Sequence, residues 1–323
     1  MRTASILIPL LSLLIIMFIF SEYAGVKETK ESVETLKIRA AEEKGSFSFA
    51  VLGDSSTVPG CTECQGNAVL AKLVQKINQN PPDFIVYTGD GPEQGGPILY
   101  LQAFRNSLGE LKAPWYPVLG NHEIIRGAAA DGTKGDGEEN YLSVFKDKLP
   151  VRDNRGKHVC YYSFNLYDCH FIVLNTAWQH RKESGTKGLH PGGAQWKWLV
   201  GDLQEASQKS RHIFIFTHEP PLLPGIFRLN SKHTFRDRWL NTTWNNPQTA
   251  AAFLQLCREY GVEAVFSGHY HGYLKFRDGA STHIISGGAG AALHVPALLG
   301  GYYHYILCSV NGDRVTYDVI RLD

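Results

Sequence analysis

Val262-Glu-Ala-Val-Phe-Ser-Gly-His-Tyr-His-Gly272 is the stretch from which the chain can be read. Val262 to Phe266 is a short apolar, β-branched run closed by Gly268, the signature of a buried strand that ends at a turn. His269 and His271 stand immediately past that end. In an extended segment alternate side chains share a face, so the spacing predicts both imidazoles on one side and Tyr270 on the other. Two imidazoles at a strand end make half of a metal site, whereas a polar loop with two histidines is the plainer reading of the pair alone. The other strand ends decide between the two.

Working outward, the same punctuation recurs. Phe47–Leu52 reads as a strand ending in Gly53-Asp54, and helical periodicity over Ala68–Ile77 is stopped by Pro81-Pro82. Phe84–Tyr87 ends in Gly89-Asp90, a helical stretch covers 98–111, and Trp115-Tyr-Pro-Val-Leu ends in Gly120-Asn121-His122-Glu123. A hairpin over Cys160–Leu166 and Cys169–Asn175 turns at Tyr167-Asp168, in a register that keeps Cys160 out of disulfide reach of Cys169. A helix starts at Gln195, His212-Ile-Phe-Ile-Phe-Thr ends at His218, and three further apolar runs (284–290, 302–310, 315–320) close the chain. This alternation argues for parallel βαβ units. Ligands in such sheets sit beyond the carboxyl ends of the strands, so Asp54, Asp90, Asn121, His218, His269 and His271 are expected to converge. Oxygen and imidazole donors without thiolate suit Zn, Mn or Fe. A central carboxylate can bridge two metals about 3.5–4 Å apart, the arrangement used for hydrolytic displacement at phosphorus.

With 323 residues, 43% of them hydrophobic, the chain can bury a large core. Its 32 basic and 31 acidic residues leave a net charge of +1, which excludes nucleic-acid binding by charge. Arg2 followed by the apolar run Ile6–Phe20 has the form of an export signal, shorter than a membrane-spanning helix, with no Ala-x-Ala site after it. Residues 1–25 are therefore expected to be a signal peptide or signal anchor, 26–44 a charged linker and 45–323 the working domain. The protein is expected to be secreted or extracytoplasmic, either free or held at the membrane through residues 6–20. Export places the six cysteines in an oxidising compartment, where Cys61-x-x-Cys64 reads as a loop disulfide ahead of redox chemistry. Cys257 lies on a helical face as a small core residue. Residues 127–139 read as a loop. The irregular segment 222–246, with Arg228, Lys232, His233, Arg236, Arg238, Trp239 and Trp244, is either a solvated connection or a lid suited to a phosphate-bearing substrate.

Gly53-Asp54, Gly89-Asp90, Gly-Asn-His-Glu at 120–123, His218 after a strand and Gly-His-x-His at 268–271 together resemble the calcineurin-like metallophosphoesterases, in order and spacing from about residue 46 to 320. Trp115–His122 and Gln195-Trp-Lys-Trp-Leu are most similar to the purple acid phosphatase side of that superfamily. The resemblance implies a four-layer α/β sandwich with two central mixed β-sheets flanked by helices. It also implies a binuclear centre of divalent or trivalent ions, Mn, Fe or Zn. Asp54, Asp90 and His271 hold one ion, and Asp90 bridges to a second held by Asn121, His218 and His269. On this pattern a metal-bound hydroxide attacks a small-molecule phosphomonoester or phosphodiester. His122 steadies the phosphate or protonates the leaving oxygen, and Glu123 is the candidate to orient His122.

Two positions depart from the family pattern. Ser56 stands where many members carry the histidine of Asp-x-His, and Glu93 where the purple enzymes carry a tyrosine. The first metal site is one ligand short of either pattern; Glu93 is the available substitute, favouring Mn or Mg over ferric iron, and tyrosinate colour is not expected. Against an enzyme stands a different class, a catalytically weak relative with a binding or scaffolding role. The retention of Asn121, His122, His218, His269 and His271 favours the enzyme. A metal-dependent hydrolase of another bond is a further rival.

Overall fold

β1 (Ser46–Leu52) and β2 (Phe84–Tyr87) are apolar along nearly their whole length because both of their faces are covered. In the computed structural model, which describes residues 46–124, 137–149, 158–179, 188–224, 235–236, 241–242 and 244–322, they occupy the middle of a five-stranded sheet. β1 runs parallel to β2, and β2 parallel to β3 (Trp115–Pro117). On the other side β12 (His304–Asn311) is antiparallel to β1, and β13 (Arg314–Arg321) antiparallel to β12.

A second sheet has six strands. β5 (Cys169–Val173), β6 (His212–Phe216), β9 (Ala264–Ser267) and β11 (Ser281–Ser286) run parallel at its centre. β4 (Tyr162–Leu166) and β10 (Tyr273–Asp278) are its antiparallel edges. The β4–β5 hairpin pairs Leu166 with Cys169 across the expected turn, and Cys160 and Cys169 are both free thiols. A two-residue ladder joins β7 (Phe235–Arg236) to β8 (Asn241–Thr242).

The period-2 alternation of β1 divides the core. Phe47, Phe49 and Val51 enter the layer between the sheets with Phe84, Phe171, Phe214, Phe216, Phe266, Ile306 and Cys308. There the Phe49 and Phe84 rings stack at 5.1 Å. Ala50 and Leu52 point the other way, under α1 (Gln65–Gln79), α2 (Ile98–Ser107) and α3 (Gly137–Phe145), which supply Leu70, Leu73, Ile77, Leu101, Phe104 and Phe145. Ile172, Ile213 and Val265 of the second sheet face α4 (Ala194–Lys209) and α5 (Pro247–Glu259), which supply Leu199, Leu203, Phe253 and Cys257. Helix, sheet, sheet and helix are the four layers expected from the sequence.

Cys61 and Cys64 form a disulfide just ahead of α1, while Cys160, Cys169, Cys257 and Cys308 are free and buried. Three local expectations need correction. The second helix stops at Ser107 and continues only as a turn, because Leu108-Gly109 closes it with 3₁₀-type bonds to Arg105 and Asn106. The segment read as a loop to 139 already becomes helix at Gly137; residues 125–136 lie outside the described residues. Trp244 belongs to no lid: it is fully buried against Phe253, with its Nε1–H donating to Glu219 O at 3.0 Å. Arg228, Lys232, His233, Arg238 and Trp239 lie outside the described residues, as do residues 1–45, and with them the expected leader (1–25) and linker (26–44). Among the described residues no helix is long and apolar enough to cross a membrane.

Candidate metal centre

The ligand-type residues stand where strand ends crowd together. Asp54 follows β1 by two residues and Asp90 follows β2 by three, both in the left-handed region at φ 64° and 53°. The glycine before each permits this. A Cβ at Gly53 would lie 2.1 Å from Thr88 Oγ1, and one at Gly89 would lie 2.7 Å from His218 Nδ1 and 2.8 Å from Gly120 N. The two loops then close on each other, Asp54 N–H donating to Gly89 O at 2.9 Å and Ser55 N–H to Asp90 O at 3.1 Å.

Four side chains meet beyond these ends. Asn121 Oδ1 lies 2.9 Å from His218 Nε2 and 2.8 Å from His269 Nδ1. The two imidazole nitrogens are 3.3 Å apart, and Asp90 Oδ2 is 3.1 Å from His218 Nε2. Donors at about 2.0–2.2 Å from one ion stand roughly 3 Å from each other, which is the spacing found here. His218 Nδ1 meets Thr88 O at 2.8 Å, so that nitrogen carries its proton and the Nε2 lone pair faces inward. With that tautomer Nε2 turns a lone pair toward Asn121 Oδ1 and Asp90 Oδ2, and a positive charge, a proton or a metal ion, has to lie between them. Electrostatics says the same: burial works against a charged His218, yet Asp90 pushes its imidazole up to about 10. Burial likewise opposes an ionised Asp90, but His218 and His122 hold its carboxyl well below the usual range.

Asp54 and His271 form a second group. His271 Nε2 lies 3.7 Å from Asp54 Oδ1. Its Nδ1–H donates to Ala292 O at 2.7 Å, and its ring stacks on His294 at 4.0 Å. Burial, with His294 adding to it, pushes the His271 imidazole down to about 4, leaving a neutral ring with an inward lone pair. Asp54 Oδ1 accepts from His269 N at 2.9 Å, whereas Oδ2 is buried with no hydrogen-bond partner. A buried carboxylate oxygen without a donor is what a metal ligand looks like. Both groups therefore suit metal.

The expectation that His269 and His271 share one face of an extended strand is wrong. His269 has φ 64°, because its N–H turns inward to Asp54 Oδ1, and the two rings join different groups. Ser56, half-buried at φ 52°, bonds Asp90 O through its backbone, and Glu93 is exposed. What Glu93 brings to the site is its main-chain carbonyl, 2.6 Å from His122 Nδ1. That carbonyl, and not Glu123, orients His122. The His122 ring is 30% exposed beside the ligand group with Nε2 3.9 Å from Asp90 Oδ2, and Asp90 raises its pKa against the opposing effect of burial.

Glu123 has another task that the sequence did not reveal. Its carboxylate is buried and accepts from three backbone N–H groups: Gly91 at 2.9 Å, Gly120 at 3.0 Å and Asp90 at 3.1 Å. Burial and the Asp90 charge push it up to about 7. The other residues missed are Thr88, Ala292 and His294, which fix the rings of His218 and His271. The one local signal for the 287–294 loop was its run of small residues, Gly287-Gly-Ala-Gly290.

The calcineurin-like phosphoesterase profile matches residues 47–273. The mouse acid sphingomyelinase-like phosphodiesterase 3b is 23% identical over 244 residues, covering 72% of this chain and 44% of that protein. The probable purple acid phosphatase 20 of Arabidopsis thaliana is 20% identical over 257 residues, covering 76% and 50%. The chain thus spans about half the length of the curated relatives it matches. Among solved structures, a dimetal phosphatase from Danio rerio superposes with a TM-score of 0.60 at 16% identity, covering 85% of this chain and 96% of that one. The profile takes in β1 to the start of β10 and every residue of both ligand groups, and the chain belongs to the calcineurin-like phosphoesterase family.

Proposed function

We propose that the protein is an exported, metal-dependent phosphoesterase that hydrolyses a small phosphomonoester or phosphodiester. The observation that carries this reading is the convergence of Asp90 Oδ2, Asn121 Oδ1, His218 Nε2 and His269 Nδ1, whose neighbouring atoms stand 2.8–3.3 Å apart, the spacing of donors around one ion. In this reading Asn121, His218 and His269 would hold one ion, Asp54 and His271 would hold a second, and Asp90 would serve both. Bound metal supplies Lewis acidity that offsets phosphoryl charge and makes water nucleophilic near neutral pH.

The chain's own residues supply the rest. Thr88 O and Ala292 O keep the ligand tautomers fixed, and the buried Asp90 carboxylate keeps the cleft negative enough to retain cations. Glu93 O holds the His122 Nδ1–H, so the proton that His122 exchanges is the one on Nε2, and the neighbouring Asp90 keeps the ring protonated to a higher pH. A protonated ring beside the ligand group can steady the phosphate or protonate the departing oxygen. With Ser56 and Glu93 contributing backbone only, the Asp54–His271 site is the looser of the two.

The test is metal analysis of the purified full chain alongside turnover of p-nitrophenyl phosphate and its bis ester. Metal uptake with hydrolysis of either ester supports the proposal. No metal after addition of Mn, Zn or Fe removes it and leaves the binding or scaffolding role. Export rests on residues 1–25, and the full chain should leave the cytosol while a chain lacking them stays.

A further inference from the structure

The loop from Gly287 to Tyr303 has an inner and an outer side. Inward it grips the cleft: Ala289 N–H donates to Gly53 O and Ala291 N–H to Asp54 O, both at 2.9 Å, and the His294 ring stacks on His271. Just beyond His294 it forms a single 3₁₀ turn, Ala297–Leu299, closed by Gly300 at φ 99°. That turn holds Leu298 96% exposed and Leu299 49% exposed. The remaining exposed large hydrophobic among the described residues is Leu99 at 39%, alone on α2. Two adjacent leucines held out in water by a well-tied loop mark an interaction surface rather than a packing leftover.

The surroundings identify the partner. Beneath the turn lies a groove of about 570 Å³ along β10, lined by Tyr273, Lys275, Arg277, Tyr302 and Arg321. Its charged side chains are all basic and exposed. The nearest acid along the strand, Asp278, is bonded to Arg258 at 2.6 Å. Lys275 lies over the Tyr317 ring at 4.8 Å and Arg321 over Tyr302 at 3.8 Å, contacts that leave the positive charge in place. Leu298 and Leu299 share this groove with the cations, and an apolar tip beside exposed cations suits an anionic bilayer, with its acyl chains beneath negative headgroups. A second copy of the chain fits less well, since a two-fold contact through this groove would set cations against cations.

We propose that this tip is a membrane-docking surface, in which Leu298 and Leu299 enter the interface of an anionic phospholipid bilayer and Lys275, Arg277 and Arg321 meet its headgroups. Docking presents the cleft to the lipid plane through the same loop that grips Asp54 and His271. It needs no metal and no turnover, so it stands or falls apart from the phosphoesterase reading.

The experiment uses the full chain with Leu298→Trp, reconstituted on vesicles of brominated phosphatidylcholine with and without phosphatidylserine, and no substrate or added metal. Residues 6–20 and the six native tryptophans are common to all variants, and the tip is read as the difference in quenching between each variant and the unsubstituted chain. Emission from position 298 should be quenched on the phosphatidylserine vesicles, while Leu99→Trp stays unquenched. Adding Lys275→Gln and Arg277→Gln should lower the docking equilibrium about 25-fold, about fivefold per charge. Equal quenching at 298 and 99, no quenching at 298, or quenching indifferent to phosphatidylserine overturns the proposal. So does an emission shift at 298 that follows protein concentration without vesicles, which would identify a second copy as the occupant.

Discussion

Glu123→Gln is the change whose outcome follows most directly from the geometry. Oε2 of Glu123 accepts from Asp90 N and Gly120 N, and Oε1 accepts from Gly91 N, in a position 1% exposed. A glutamine of the same shape keeps its oxygen for the first pair and sets an NH₂ against the Gly91 N–H. One charge-assisted bond is lost and one buried donor is left without an acceptor, a cost of about 2–3 kcal/mol. In the opposite amide orientation two donors are orphaned, so this is the smaller cost. Glu123→Ala orphans all three and opens a void, for about 3–5 kcal/mol. Urea unfolding of metal-stripped protein should show the loss as a shifted midpoint at unchanged slope. In thermal unfolding the Gln variant should melt roughly 3–5 °C lower, for a domain of this size. Glu139→Gln, exposed on α3, is the control and should stay within about 0.5 kcal/mol. If Glu123→Gln behaves like that control, the three-donor cradle is not a structural requirement and the reasoning fails. Metal affinity should fall in parallel, because the cradle sets the backbone from which Asp90 and Asn121 project.

Mass spectrometry of the native protein should find about one to two ions per chain; His218→Ala, which removes the central nitrogen of the tighter group, should lose the better-held ion. His122→Asn should keep fold and metal while kcat on an aryl phosphate falls about 10²–10⁴-fold, the loss shrinking for leaving groups that need no proton; unchanged kcat with metal intact would make His122 structural. A pH effect is expected at the far end of the second sheet, where Glu263 lies 3.5 Å from His212 and raises its imidazole above 6.5 while His212 lowers Glu263 below 4.5. The histidine's contribution is complete below 6.5 and is lost as pH rises through its folded value; the glutamate's is complete above 4.5 and is lost as pH falls through its own. The pair therefore stabilises most between 4.5 and 6.5, by about 0.5–1 kcal/mol for a carboxylate one-third exposed, and Glu263→Gln should flatten that maximum in pH-resolved unfolding.

The strands and most residues of the candidate site were legible because their signals are local. An apolar run, a glycine and a polar residue mark a covered strand leaving the sheet, and Gly53-Asp54, Gly89-Asp90 and Gly268-His269 all obey that grammar. What stayed hidden depends on partners distant in sequence. The divergence of His269 from His271 is set by Asp54, 215 positions away, which draws the His269 N–H inward. The cradle of Glu123 becomes visible only once β2 and β3 lie side by side. Trp244 has the composition of a lid residue, and only the helix packed beneath it shows that it is core.

Asp54, Asp90 and His269 all adopt left-handed backbone, a conformation that L side chains hold at a cost of roughly 1–2 kcal/mol each. The candidate site thus draws on the stability of the domain that carries it. Substitution at these positions changes two things together, ligand chemistry and conformational fit. Asn tolerates the left-handed region and isolates the first, whereas Ala confounds them. Glycine at 269 releases the strain outright: a His269→Gly protein, unable to complete its ligand group, should be more robust in the absence of metal than the protein it came from. If these residues are ligands, substitutions that relieve the backbone carry no stability penalty and remove binding, so stability alone favours losing the site.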